Sequence, residues 1–301
     1  MKTKLFVFFG VLMVGAVLRA EPLDERHIGA DAKWLVHVDF DALRSGHSAH
    51  LVVTAWLRAE PARSHLAGLR EAIGLDAARD LRSVTLYGQQ LVPDRGVLIV
   101  RAPWDHPRLR AFLARQPDFA EKDIDGRNLF TWTERREGRR HTVWAASAGQ
   151  ETILVSRERG DLLGARAVLE GRAGSLAESE SPLAGPAPEG TVLLVRATGL
   201  AEAELGLKSP ILRLSETLSL TAGETSEGVF VEAQLTAASA DDVPHFRDVA
   251  AGLVALARLM RADDRDVVKL LDAVTISTDD RTITVRWAGQ LADVLKAADN
   301  Q

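Results

Sequence analysis

Residues 46–50 read Gly46-His47-Ser48-Ala49-His50. A serine flanked by glycine and histidine between an expected strand and an expected helix is one residue short of a G-x-S-x-G nucleophile elbow. His50 stands where the second glycine would make room for the sharp turn. Asp41 to Ser45 also separate the motif from the strand it should follow at once. Ser48 therefore reads as the N-cap of a helix starting near Ala49. His47 and His50 form an H-x-x-H pair, and His37, Asp39 and Asp41 recur at alternate positions just before them. Imidazole and carboxylate donors of this kind suit zinc, although the spacing matches no closed zinc motif. A hydrolase using Ser48, or a metal site near His47 and His50, is thus the enzymatic alternative. Nucleophile, base and orienting group are not all legible. No phosphate-cradling glycine loop, dinucleotide fingerprint or HExxH appears, so the site assignment is catalytic none, metal none and cofactor none.

A different chemistry lies at Arg135, Arg136, Arg139 and Arg140, which surround Glu137-Gly138. Guanidinium groups gathered at a hairpin tip are suited to anionic partners such as lipid headgroups, polysaccharide or nucleic acid. Trp132 and Trp144 flank that tip; core packing is the ordinary role of tryptophan, and only an exposed pair would be able to stack on sugars.

These side chains are positioned by a chain that reads as exported. Lys2 and Lys4 precede an apolar run from Leu5 to Leu18, and Ala20 is a plausible last residue before cleavage. Fourteen apolar residues are too few for a membrane-spanning helix, which needs about 20, and fit the h-region of a secretory signal. With no cysteine, lipid anchoring through a cysteine, disulfides and thiolate chemistry are excluded. An exported chain of this size must be held by its core alone. Without Lys2, Lys4 and Arg19 the charge is 34 basic against 42 acidic residues, net −8. That balance argues against nucleic acid as the partner. The expected location is the periplasm or the medium, soluble after cleavage, with an unnamed protein or envelope component as partner.

The elements follow from periodicity. WLVHVDF over 34–40 alternates, with Trp34, Val36, Val38 and Phe40 on the buried face and His37 and Asp39 on the polar one. Helices are expected over 49–59 and from Leu66 to Ile73, the second stopped by Gly74. VTLYG and GVLIVRA form a hairpin through VPDRG. Asp105 caps a helix carrying Leu109, Phe112 and Leu113. Strands near Ile124 and over 128–134, 140–147 and 151–157, joined by short turns, imply an antiparallel meander, and a helix over 160–171 closes it.

Residues 171–190 are rich in Gly, Pro, Ser and Ala and read as a linker or surface loop. Beyond them the order repeats: strand, hairpin, helix, hairpin, closing helix. The long helix carries Val243, Phe246, Ala250, Leu253, Ala257 and Met260 along one stripe. Gly96 and Gly228 open corresponding return strands 132 residues apart, and Thr152 and Thr282 stand 130 apart, which suggests a duplication. The fold class is α+β, two related units of antiparallel sheet with helices packed on one face. The partition is a signal peptide 1–20, a lead-in 21–30, a first unit 31–172, a linker 173–190 and a second unit 191–301.

The segments WLVHVDFDAL, VTLYG, GVLIVRAPWD and NLFTW together resemble exported bacterial proteins of unknown function with a duplicated α+β plan. The resemblance covers most of the mature chain. It implies a fold and an exported location, and no catalytic residues.

Overall fold

The computed structural model describes residues 22–46, 62–92, 95–124, 126–136, 138–202 and 210–299. The signal peptide expected over residues 1–20, the helix expected over 49–59, and His47, Ser48 and His50 lie outside them. The chain divides into two compact units, Met1–Ala184 and Gly185–Gln301. Both mix helices with antiparallel sheet, as the periodicity predicts. No helix among the described residues is long and apolar enough to cross a membrane.

The first unit opens with β1 (Trp34–Asp39), α1 (Phe40–Ser45), α2 (Ala62–Ile73) and α3 (Ala77–Asp80). It continues with β2 (Ser83–Gly88), β3 (Val97–Arg101) and α4 (His106–Leu113). The meander β4 (Ala120–Ile124), β5 (Arg127–Arg136), β6 (Arg139–Ala148) and β7 (Thr152–Ser156) follows, and α5 (Arg159–Leu169) closes it. Its strands lie in the order β1-β2-β3-β7-β6-β5-β4, all antiparallel. Expected stops and caps occur where their chemistry places them. Gly74 sits at φ +75°, a left-handed conformation that ends α2 at low cost. Asp105 accepts from Arg108 N at 3.0 Å.

Three expectations for this unit are corrected. First, β1 is buried on both faces: Leu35, His37, Val38 and Asp39 are all at most 5% exposed. His37 and Asp39 tolerate this because each has a partner. The His37 ring nitrogen lies 2.8 Å from Thr85 Oγ1, and Asp39 accepts from Ala42 N at 2.7 Å as the cap of α1. Second, helices lie on both faces of the sheet. Leu113 of α4 packs on Trp132, Val143 and Ala145, whereas Val168 of α5 and Tyr87 both approach Gly29 on the alternate face. Third, the first part of the supposed linker is core. Leu176 and Leu183 are buried, and Leu176 N donates to Ile28 O at 2.7 Å. Two leucines, each contributing about 2 kcal/mol on burial, outweigh the loop-like composition around them.

The second unit runs β8 (Thr191–Thr198), α6 (Pro210–Arg213), β9 (Ser215–Thr225), β10 (Gly228–Ala237), α7 (Val243–Met260), α8 (Arg265–Asp272), β11 (Val274–Asp279), β12 (Thr282–Gly289) and α9 (Leu291–Asp299). Its strands are ordered β8-β9-β10-β12-β11, again antiparallel. Alternation splits the sheet cleanly into two faces. On one, Leu235, Ala237, Ile276, Ile283 and Val285 meet Val243, Phe246 and Ala250 of α7. On the other, the register aligns side chains in rows. Thr198, Thr217, Thr236, Thr282 and Asp279 form one row. Arg196, Ser219, Gln234, Thr284 and Ser277 form the next. Leu194, Thr221, Glu232, Arg286 and Thr275 form the third. Leu194 is the single apolar side chain among them.

The α7 stripe departs from expectation halfway along. Val243 and Phe246 are buried, but Leu253 is 62% and Met260 75% exposed. Periodicity fixes which residues share a face and leaves open how far along the helix that face is covered.

Candidate functional site: an arginine-tipped hairpin and a polar cleft

Strands β5 and β6, ten residues each, form a hairpin rooted in the core. Trp132 and Val143 are register partners, 2% and 1% exposed, and pack on Leu109, Phe112 and Leu113 of α4. The arginines lie three and four residues further out, about 10 to 13 Å along the strands. Arg135 pairs with Arg140 and Arg136 with Arg139, and Gly138 takes φ +80° to close the turn. Arg135, Arg139 and Arg140 are exposed.

Two like-charged pairs directly opposite one another are unfavourable, since cross-strand Cβ atoms sit about 5 Å apart. One local acid offsets part of this. Arg140 forms an ion pair with Asp118, a residue held at φ +55° at the foot of the hairpin. Hydrogen bonds from Thr133 and Arg140 hold the Asp118 carboxyl below its usual range. The tip therefore combines an anchored base with concentrated positive charge, and its available chemistry is the charge-assisted binding of anions.

Trp132 and Trp144 do not form an exposed pair beside the tip. Trp132 is core because its position in the register faces α4. Trp144, one residue beyond Val143 on the alternate face, is half-buried, with Lys122 Nζ 5.0 Å from its ring centroid.

The nitrogen and oxygen donors at residues 37–41 are dispersed. His37 turns to Thr85, Asp39 caps α1, and Asp41 pairs inside α1 with Arg44. Strand geometry ends at Asp39, so the alternate spacing that aligned these three groups does not continue. Among the described residues no cluster of three His, Asp or Glu side chains is placed to hold a metal.

A concavity missed in the sequence lies in the second unit. It has a volume of about 340 Å³, with a floor of Arg196, Ser219, Thr221, Glu232 and Gln234 and a wall of Pro186, Ala187 and Pro188. Both ends of the wall are tied down. Arg196 is 8% exposed and donates to Gly185 O at 2.7 Å and Pro186 O at 3.1 Å. Thr191 donates from Oγ1 to Pro188 O at 2.6 Å. On the floor, Arg286 donates to Glu232 at 2.8 Å and Gln234 Nε2 to Glu232 Oε1 at 2.9 Å. The signal was present as alternating hydroxyl residues in SETLSLT and TISTDDRTIT, but only strand register brings them to one face.

No family model matches the chain, and no curated protein does. Among solved structures it is similar to crystal form III of TP0453, with a TM-score of 0.48 and 8% identity, covering 94% of this chain and 99% of that one. Crystal form I of TP0453 gives a TM-score of 0.48 and 7% identity, covering 93% and 98%. At these values the likeness carries nothing about function.

Proposed function

We propose that this chain is an exported, non-catalytic protein that binds an anionic partner in the cell envelope or outside the cell, through the β5–β6 hairpin. One observation carries the reading. Arg135, Arg136, Arg139 and Arg140 face one another in two cross-strand pairs at an anchored tip, in a chain whose net charge after export is acidic. Successive pairs belong to alternate faces of the hairpin, and an anion bridging the two arginines of a pair relieves their mutual repulsion and forms charge-assisted hydrogen bonds at the same time. The acidic remainder of the molecule disfavours nucleic acid as that anion.

Export rests on the Lys2/Lys4 start and the apolar run to Leu18. The chain belongs, on this reading, with exported bacterial proteins built by duplication. Support for the duplication comes from parallel strand orders. In each unit a strand leads to a hairpin, the return strand opens on a glycine, and a later strand opening on threonine pairs with it before a closing helix. Gly96 and Gly228 take φ +139° and +133°, and Thr152 and Thr282 open β7 and β12.

The test is retention on heparin-agarose at low ionic strength, alongside a pull-down from the organism's own envelope. The wild-type chain should be retained, and the Arg135→Ser/Arg136→Ser/Arg139→Ser/Arg140→Ser variant should flow through and lose the envelope partner. Equal behaviour of the two would refute the hairpin assignment. A mature N-terminus still at Met1 would refute export. Ester hydrolysis abolished by Ser48→Ala would replace this reading with the enzymatic one.

A further inference from the structure

We infer that the polar cleft of the second unit is a binding site for a neutral saccharide, independent of the arginine hairpin. The argument begins with what the floor offers. Ser219 and Thr221 present hydroxyls that both donate and accept, and among the described residues neither makes a side-chain hydrogen bond to the protein. Gln234 commits its amide nitrogen to Glu232 at 2.9 Å, which leaves its amide oxygen for another donor. Glu232 also lines the cleft; its two carboxylate oxygens accept from Gln234 and Arg286, so its charge is balanced, and each oxygen retains a lone pair for a further donor. Hydroxyl, amide and charge-compensated carboxylate side by side match a ligand whose own groups are hydroxyls at adjacent carbons.

The wall supplies the complementary half. Pro186 and Pro188 present apolar ring faces with fixed φ, suited to the C–H face of a pyranose. Arg196 and Thr191 hold both ends of this segment, and Gly190 lies so close to Glu224 that a Cβ there would stand 1.9 Å from its carbonyl oxygen. The wall is thus preorganised, which lowers the entropy cost of binding. The volume of about 340 Å³ is at the small end of ligand sites.

A merely solvated sheet face is the competing account, since antiparallel sheets commonly leave one face wet. It explains the polar rows but gives no reason for a buried arginine and two prolines to build a wall over them. An apolar ligand is disfavoured by the floor. An anion is disfavoured because the guanidinium groups at the cleft are already committed, Arg196 to the carbonyls of Gly185 and Pro186 and Arg286 to Glu232.

Saturation-transfer NMR on the whole exported chain with chitotetraose, cellotetraose and maltotetraose tests the site. At least one of these sugars should receive transfer. Gln234→Ala and Thr221→Val should each weaken binding about tenfold, the loss of one good hydrogen bond. Gln234 is exposed, and valine suits a strand as well as threonine does, so thermal melting should match wild type in both. Binding should persist at high salt and in the four-arginine variant, so failure here is distinguishable from failure of the hairpin. Absence of transfer to all three sugars, unchanged affinity in both folded variants, or binding abolished by salt would each overturn the proposal.

Discussion

Asp41 and Arg44 form a buried ion pair whose role is structural. Their side chains are 8% and 3% exposed. Arg44 ties together Asp41 and the carbonyls of Arg79 and Leu81, so it holds the end of α1 to the segment entering β2. Burial pushes the Asp41 carboxyl above its ordinary value, against the pull of Arg44, and burial pushes the Arg44 guanidinium down. Arg44→Met should cost about 3 kcal/mol or more at neutral pH, because it leaves a buried carboxylate unpaired. The sign of its pH dependence follows. With Arg44 gone the folded-state value of Asp41 rises further, so the folded protein binds a proton that the unfolded chain releases near pH 4. The deficit should be small at acid pH, grow as pH rises through that window, and level off above the folded value. Urea unfolding of both proteins from about pH 3 to 8 measures it. A deficit independent of pH would mean that Asp41 is not the group left unpaired.

At the scale of elements, two glycines state why the return strands begin where they do. A Cβ on Gly96 would stand 2.7 Å from Tyr87 O, and one on Gly228 2.4 Å from Gly289 O. Both also occupy backbone regions that other residues rarely adopt. Alanine at either should cost about 2 kcal/mol by thermal or urea unfolding. Gly149, also at positive φ but with nothing within 4 Å of a built Cβ, should cost about 1 kcal/mol. Equal costs at all three would show that conformation alone, without the close approach, sets the requirement.

For the whole molecule, the apolar surface left on α7 matters most. Val249, Leu253, Leu256, Leu259 and Met260 are 42–75% exposed, an unusual concentration for one helix. These side chains add little to folding because they remain in water. Replacing Leu253, Leu256 and Met260 together by Gln should therefore shift the unfolding free energy by less than about 1 kcal/mol. The same change should remove most of the 8-anilinonaphthalene sulfonate fluorescence of the native protein. A large loss of stability would show that the stripe is covered in solution.

Local rules made much of this chain legible before any contact was known. Alternation located the β2–β3 hairpin, the meander and the β11–β12 hairpin. Asp105 and Gly74 marked helix ends because capping depends on nearest neighbours in sequence. The arginine tip was legible for the same reason, since a short turn forces the residues beside it into register. What remained hidden depends on partners distant in the chain. Whether His37 and Asp39 of β1 can be buried is decided by partners that the strand pattern does not show, such as Thr85 for His37. Whether Trp132 is exposed is decided by α4, and whether the end of α7 is covered by how far the sheet beneath it extends. The polar cleft is the clearest case: its floor comes from three strands and its wall from the segment before β8. Hydroxyl residues scattered at alternate positions acquire a common surface only when register and folding set them side by side.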